Sequence, residues 1–335
     1  MSSSRTRFLA VLVAAGLFAL AGCGGSGTSA SSDGLTTLKV AYTPIYTAGA
    51  LQLGVEKGFF KDEGIALQFQ QVANPPAGIA AVAGGQVDIN YAPTIPIYGA
   101  SASGVGLKLV APADGYSPEG AAKVKADPSQ GVNYDDSGVV VEPKSGITRP
   151  RDLEGKTVSV PARKAQLEVT VAAAVKQDGG DPSKIKWITL DFPTAVSALK
   201  SGRIDAAGLV TPYVQQAVSA GGTIVSSPAV SFFGGGAVGM WITSSKEASE
   251  KAKLMQAFAR AAIESNRYAE SHITEEQVAA AKLLKIDPKT VEGGSQPYFP
   301  TSIDTAALQR AADQMFDLGY LDKKIDTSSL PMAQQ

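Results

Sequence analysis

Residues 153–213 alternate short β-branched runs with segments of helical spacing, and this alternation constrains the fold more than any other feature of the chain. Strands are predicted over Thr157–Pro161, Lys186–Leu190 and Ile204–Val210. The segments between them place apolar residues on one side of a helix, and glycine stops each helix. Strands separated by helices in this way pair in parallel, with helices covering the sheet. The stretch therefore predicts a β-α-β-α-β unit of an α/β fold.

The loops that follow the predicted strands indicate where a ligand would bind. In open α/β sheets, ligands occupy the crevice beyond the carboxyl ends of the strands. Three such loops here are Ala162–Gln166, Asp191–Thr194 and Thr211–Tyr213, and two earlier strands, Leu38–Tyr42 and Val87–Tyr91, end in similar loops. The predicted ligand-binding residues are Thr43, Tyr46, Tyr91, Ala92, Thr94, Arg163, Lys164, Ala165, Phe192, Thr211 and Tyr213.

Two segments of the chain nearly repeat each other. Ala81–Pro96 and Ala198–Pro212 each run from a helix end through a glycine and an aspartate, Asp88 or Asp205, into a strand and a Thr/Pro helix start. Coincidence is the alternative, because alanine and glycine are common in this chain. The constant spacing favours two lobes of like topology.

The order of the predicted elements divides the body into two lobes, which suits a chain of 335 residues. Lobe I is predicted to be discontinuous, comprising residues 35–115 and 238–330, and lobe II comprises residues 137–237. Residues 116–136 are polar, lack a clear periodicity and are predicted as a loop-rich insertion. A strand at each end of lobe II would carry the chain from one lobe to the other.

The N-terminus has the pattern of a bacterial export signal. Arg5 and Arg7 precede the apolar run Phe8–Leu20, which is too short to span a bilayer comfortably. The run leads into Leu-Ala-Gly-Cys, which resembles a lipoprotein signal. We therefore predict a signal peptide over 1–22, a lipidated Cys23, a flexible tether over 23–34, and a lipid-anchored protein on the extracytoplasmic face of the bacterial membrane. An ordinary secretory signal with an incidental cysteine is the alternative.

Composition argues against several function classes. The formal net charge of −1 gives no basic bias, so we expect no nucleic-acid partner. The single histidine, His272, and the single cysteine offer no transition-metal cluster. There is no Gly-x-Ser-x-Gly elbow or Gly-x-x-x-x-Gly-Lys loop, and we expect neither a metal nor a cofactor.

Short motifs follow one another along most of the body. They are LKVAYTP, Glu56-Lys57-Gly58-Phe59-Phe60, Gly85-x-Val87-Asp88, Leu153-x-Gly155-Lys156, Val160-Pro161, Leu190-x-x-Pro193, Gly202-x-x-Asp205-Ala206 and Pro212-Tyr213. No single motif is specific, but their order over the length of the body is. Together they resemble one family, the solute-binding components of ABC importers for nitrate, taurine and aliphatic sulfonates. Relatives of that group bind a thiamine pyrimidine precursor.

The resemblance implies a two-lobed periplasmic binding protein type II fold, each lobe a mostly parallel sheet flanked by helices, with one ligand in the cleft. It also implies delivery to the transmembrane subunits of an ABC permease, by a protein that we expect to be a monomer. The chain departs from the family pattern at Ala162-Arg163-Lys164 and at Asn90–Thr94, and both segments fall on predicted ligand loops. The ligand therefore need not be one of the well-known ones.

Two features bear on the ligand. Tyr46, Tyr91 and Tyr213 could line the cleft or merely pack neighbouring loops. Arg163 and Lys164 fall in the first turn of a predicted helix, where a cation is disfavoured unless an anion compensates it. A bound sulfonate or carboxylate would do so, as would an internal pair between Lys164 and Glu168. We predict a small anionic organic ligand, a sulfonate or carboxylate that could carry an aromatic ring, with a neutral pyrimidine-type heterocycle as the alternative.

Two other functions stay open. An exported enzyme on the same fold would have to use carboxylates such as Asp88, Asp191 and Asp205, although Asp88 and Asp205 also fit a structural role at strand starts. A purely structural lipoprotein would bind no small molecule. We predict a carrier that is not an enzyme.

Overall fold

The computed structural model of the protein describes residues 34–290, 295 and 297–332. The predicted signal peptide, Cys23 and the tether up to residue 33 lie outside the described residues. None of the helices that are described has both the length and the apolar character needed to cross a bilayer.

Strands in the described part of the chain form two five-stranded sheets, one in each lobe. In chain order they are β1 (Thr36–Tyr42), β2 (Ile65–Gln71), β3 (Ile89–Pro93), β4 (Leu107–Tyr116), β5 (Ser137–Val141), β6 (Thr157–Val160), β7 (Lys186–Thr189), β8 (Ala206–Val210), β9 (Thr223–Ser226) and β10 (Gly236–Ser244).

The two sheets have equivalent topology. The strand order is β2-β1-β3-β10-β4 in lobe I and β7-β6-β8-β5-β9 in lobe II. In each sheet four strands run in the same direction, while the fourth in the order, β10 or β5, runs antiparallel to both of its neighbours. The predicted two-lobed α/β architecture with mostly parallel sheets is confirmed.

Helices cover the sheets on both faces. They are α1 (Gly49–Lys57), α2 (Phe59–Asp62), α3 (Pro75–Ala83), α4 (Thr94–Ala102), α5 (Pro118–Ala126), α6 (Gly131–Tyr134), α7 (Gln166–Gln177), α8 (Phe192–Lys200), α9 (Tyr213–Ser219), α10 (Ala229–Phe233), α11 (Ser245–Glu250), α12 (Ala252–Ser271), α13 (Ile273–Leu284) and α14 (Thr305–Asp317). The long helix α12 packs on lobe I through the fully buried Phe258, whose ring lies against those of Phe60 and Trp241.

The near-repeat of the sequence has the same structural role in both lobes. The Asp88 carboxylate accepts a hydrogen bond of 2.8 Å from the backbone N–H of Lys39, at the neighbouring strand β1. The Asp205 carboxylate accepts an equivalent bond of 2.7 Å from Thr157 N–H, at β6. Both aspartates therefore tie together the amino ends of parallel strands.

The segment predicted as a loop-rich insertion, residues 116–136, is mostly helical, so that description was wrong. Ser117 caps α5, because its Oγ accepts a hydrogen bond of 3.0 Å from Gly120 N–H, and Pro118 occupies the first turn. The helix α6 follows after a 3₁₀ turn. These elements are too short to show a periodicity in the sequence, and the caps were the signal that could have revealed them.

Candidate ligand site

The carboxyl ends of the parallel strands in the two lobes face each other. The Tyr213 hydroxyl, which follows β8 in lobe II, donates a hydrogen bond of 3.4 Å to the carbonyl oxygen of Pro44, which follows β1 in lobe I. The Phe192 ring stacks on Tyr213 with its centroid 5.1 Å away. Burial raises the pKa of the Tyr213 hydroxyl. Two loops predicted to bind ligand thus meet lobe I at this edge.

Lobe I contributes buried polar groups to the same edge. Thr43, directly after β1, is buried, and its Oγ1 has no hydrogen-bond partner among the described residues. Thr94 lies after β3 and is also buried. On the lobe II side, Thr211 is fixed rather than free, because its N–H and Oγ1 donate to the backbone carbonyl of Asp136 at 2.8 and 3.2 Å.

Two predicted ligand residues lie elsewhere. Tyr46 packs against Ala280 and Ile286, on and just after helix α13, and burial together with the neighbouring Glu276 raises the pKa of its hydroxyl. Ala92 belongs to the core beneath α3 and α4. In the structure neither joins the groups around Tyr213. Tyr46 follows a strand, and the docking of α13 turns its side chain away from Tyr213. Ala92 lies near the end of β3, where the alternation of side chains along the strand has the same effect.

The basic residues of the loop before α7 have an internal counter-ion. The Arg163 guanidinium donates to both carboxylate oxygens of Glu168, at 2.6 and 3.2 Å, and the Lys164 backbone N–H donates to Glu168 at 2.8 Å. The side chain that pairs with Glu168 is therefore Arg163, not Lys164. Lys164 takes a left-handed φ of 55°, which turns its N–H toward the carboxylate, and Ala165 is the buried N-cap of α7.

Arg163 and Lys164 border the lobe interface from the outside. They line a groove of about 600 Å³ together with Lys176, Trp187 and Tyr320. Tyr320 comes from lobe I, beyond α14, and its pKa is raised by burial and by the Glu168 charge. The Arg163–Glu168 pair therefore lies where the flanks of the two lobes meet.

A pair of carboxylates at the strand ends escaped the sequence reasoning. Asp114 lies near the end of β4, and its carboxylate sits over Gly239 beside the Tyr91 hydroxyl. Asp136 directly precedes β5 and accepts a hydrogen bond of 3.1 Å from the Tyr116 hydroxyl. The available signal was an aspartate inside the apolar run of β4, LVAPADGY, where a charge is not expected.

The environment of these carboxylates favours their neutral forms. Burial, reinforced by the Asp136 charge, raises the pKa of Asp114 to about 8, although the Tyr91 hydroxyl opposes the shift. Burial and the charge of Asp135 raise the pKa of Asp136 to about 7. No group of three or more His, Cys, Asp or Glu side chains in the described chain is arranged to hold a metal ion.

Comparison with known proteins places the chain in a family. The model of the NMT1-like family matches residues 31–285.

The chain belongs to the NMT1-like family.

Its relatives include ABC transporter and sulfonate-binding proteins, in agreement with the family that the sequence motifs predicted. The putative aliphatic sulfonates-binding protein of Bacillus subtilis is 25% identical over 334 residues, 96% of this chain and 93% of that protein. A putative ABC transporter periplasmic binding protein of Brachyspira hyodysenteriae is 30% identical over 225 residues, 65% of this chain and 60% of that protein.

Among solved structures, the alkanesulfonate-binding protein SsuA of Xanthomonas axonopodis pv. citri, bound to MOPS, has a TM-score of 0.70 at 16% identity. The match covers 88% of this chain and 97% of that protein, so the NMT1-like chain has the periplasmic binding protein fold over nearly its whole body.

Proposed function

We propose that this NMT1-like protein is the extracytoplasmic solute-binding component of an ABC importer. It captures a small organic compound between its lobes and delivers it to the transmembrane permease. The observation that carries this proposal is the meeting of two equivalent sheets at their strand ends. There Tyr213 reaches Pro44 across the cleft, and the buried Thr43 Oγ1 has no hydrogen-bond partner within the part of the chain that the structure describes. Such a crevice between hinged lobes is the usual place of a bound solute.

The test is a thermal-shift screen of sulfonates, carboxylates, amines and aromatic heterocycles, followed by small-angle scattering with each compound that stabilises the protein. A carrier of this kind closes around its ligand, so the radius of gyration should fall at saturation. Saturable binding without a product is expected. If no compound in the screen binds, or if the ligand is converted during incubation, the carrier role is contradicted.

The charge of the ligand is the finer question. An anion such as a sulfonate is favoured by the names of the relatives and was predicted from Arg163 and Lys164. Glu168 argues against anion binding by these two residues. Its carboxylate already pairs with the Arg163 guanidinium and accepts a hydrogen bond from the Lys164 backbone N–H. A neutral heterocycle would have no need of either cation.

The carboxylates named for an enzyme are engaged in structural roles. Asp88 and Asp205 accept hydrogen bonds from strand backbones, and Asp191 caps α8 by accepting from Thr194 N–H at 2.8 Å. A carboxylate held in this way is poorly placed to exchange a proton with a substrate. This supports a carrier over an enzyme.

Lipid anchoring through Cys23 is part of the proposal. Because Cys23 precedes the folded body, Cys23→Ser should move the protein from the membrane fraction to the soluble fraction without changing its melting temperature. Membrane association of that variant that still requires detergent would contradict the anchor.

A further inference from the structure

Asp114 and Asp136 lie at the edge of the sheets where the lobes meet. The strand β4 runs parallel to β3, since β10 is antiparallel to both, so Asp114 is near a carboxyl end in lobe I. The strand β5 is antiparallel to β8, so the residue before β5 lies beside the carboxyl end of β8 in lobe II. Hydrogen bonds from Thr211 to the Asp136 carbonyl fix that position. One carboxylate of the pair thus comes from each side of the cleft.

The described part of the chain supplies no cation for either group. Asp114 is only 8% exposed, and its Oδ1 has no hydrogen-bond partner among the described residues. No lysine, arginine or histidine of the described chain pairs with Asp114 or Asp136. The next residue along, Asp135, shows how this chain satisfies a structural carboxylate: it accepts from the backbone N–H groups of Ala229, Val230 and Ser137 at 2.7, 3.0 and 2.9 Å.

A buried carboxylate without such partners is costly, and it repels a second one nearby. A bound anion would oppose the ionisation of the pair still further. A bound cation would compensate the charges of both carboxylates, so that their burial would favour the free energy of binding. An arrangement of this kind selects ligands by the sign of their charge.

Aromatic rings surround the pair. The Tyr91 hydroxyl contacts Asp114, the Tyr116 hydroxyl donates to Asp136, and the Phe233 ring stacks on Tyr116 with the centroids 6.4 Å apart. Ring faces attract organic cations, especially where water is excluded. The surroundings therefore suit a nitrogen cation carried on a flat or apolar group.

Resting on the proposed solute-binding role, we propose that the ligand presents a positively charged nitrogen group, an ammonium, an amidinium or a protonated heterocycle, to Asp114 and Asp136. The two carboxylates act as the residues that determine specificity. Ligand entry requires the lobes to separate, because Tyr213 and Pro44 close the cleft beside them.

The experiment compares matched aromatic probes of opposite charge by thermal shift and calorimetric titration. Benzamidinium and phenethylammonium are the cationic probes, and benzenesulfonate and phenylacetate are the anionic ones. At least one cationic probe should bind and raise the melting temperature, while the anionic probes do not. Asp114→Asn and Asp136→Asn should each weaken that binding by roughly tenfold or more, as for a desolvated charge pair losing one member.

The matched control is Asp62→Asn, the same change at an exposed carboxylate of α2, which should leave probe affinity unchanged. Each variant is also checked by its melting curve, and because two variants report on the pair, one that fails to fold does not decide the outcome. Preference for the sulfonate, absence of binding by both cationic probes, or cation binding that neither cleft variant weakens would overturn the proposal. Binding of the sulfonate would leave the carrier role intact, whereas only a failure of the wider screen would remove both.

Discussion

The aspartates at the two edges of the sheets differ in how their charges are compensated. At the amino ends of the strands, Asp88 and Asp205 each accept a backbone hydrogen bond, and Lys251 adds an ion pair to Asp88. At the carboxyl ends, no lysine, arginine or histidine of the described residues pairs with Asp114 or Asp136, and a tyrosine hydroxyl lies beside each. The repeated aspartates join neighbouring strands within each lobe, and the unrepeated ones lie at the edge where the lobes meet. The difference teaches that, in a chain built from two similar lobes, residues outside the repeat are the better guide to specificity.

The largest effect on stability is expected at the amino ends. Asp205→Ala and Asp88→Ala each leave a backbone N–H of a central strand without its acceptor, so each should lower the free energy of unfolding by about 1–3 kcal/mol. Urea denaturation followed by circular dichroism measures this loss, with exposed Asp62→Ala as the control. If both variants unfold at the wild-type urea concentration, these aspartates are not structural ties and the contrast between the edges fails.

Much of the fold followed from the sequence because its signals are local. Strand and helix alternation, the glycine stops and the Asp88/Asp205 repeat all lie within short windows, and the structure reproduces the two equivalent sheets. The sequence also predicted that the loops carrying Phe192 and Tyr213 lie together, because residues after parallel strands gather at one edge of a sheet.

The chemistry of the site depends on contacts between residues that lie far apart in the sequence. The segment between β4 and β5 brings Asp114 and Asp136 near each other, and its sequence shows no clear periodicity from which that path could be predicted. The partner of Glu168 was likewise missed, because the left-handed turn at Lys164 decides which cation reaches it. Whether a charge is compensated depends on its neighbours in three dimensions. The sequence gives the charged residues but not those neighbours.

The pH dependence of stability tests the central claim most directly, since it asks whether the Asp114 carboxylate is uncompensated in the ligand-free protein. Its pKa, raised to about 8 by burial and by Asp136 and opposed by the Tyr91 hydroxyl, exceeds the ordinary value of an unfolded chain. The folded state therefore holds more protons than the unfolded state between about pH 4 and pH 8, and the contribution of Asp114 to stability is lost as the pH rises through that range.

The measurement is the free energy of unfolding of wild type and Asp114→Asn at pH 5 and pH 8, without ligand. The difference between the two proteins cancels the contribution of remote groups such as Glu276, whose pKa is also raised. The variant should gain stability relative to wild type by more than about 1 kcal/mol as the pH rises from 5 to 8, because the wild-type carboxyl must then ionise in its buried site. A difference that does not change with pH, or a variant less stable at pH 8, would show that the protein itself compensates this carboxylate and would contradict the account.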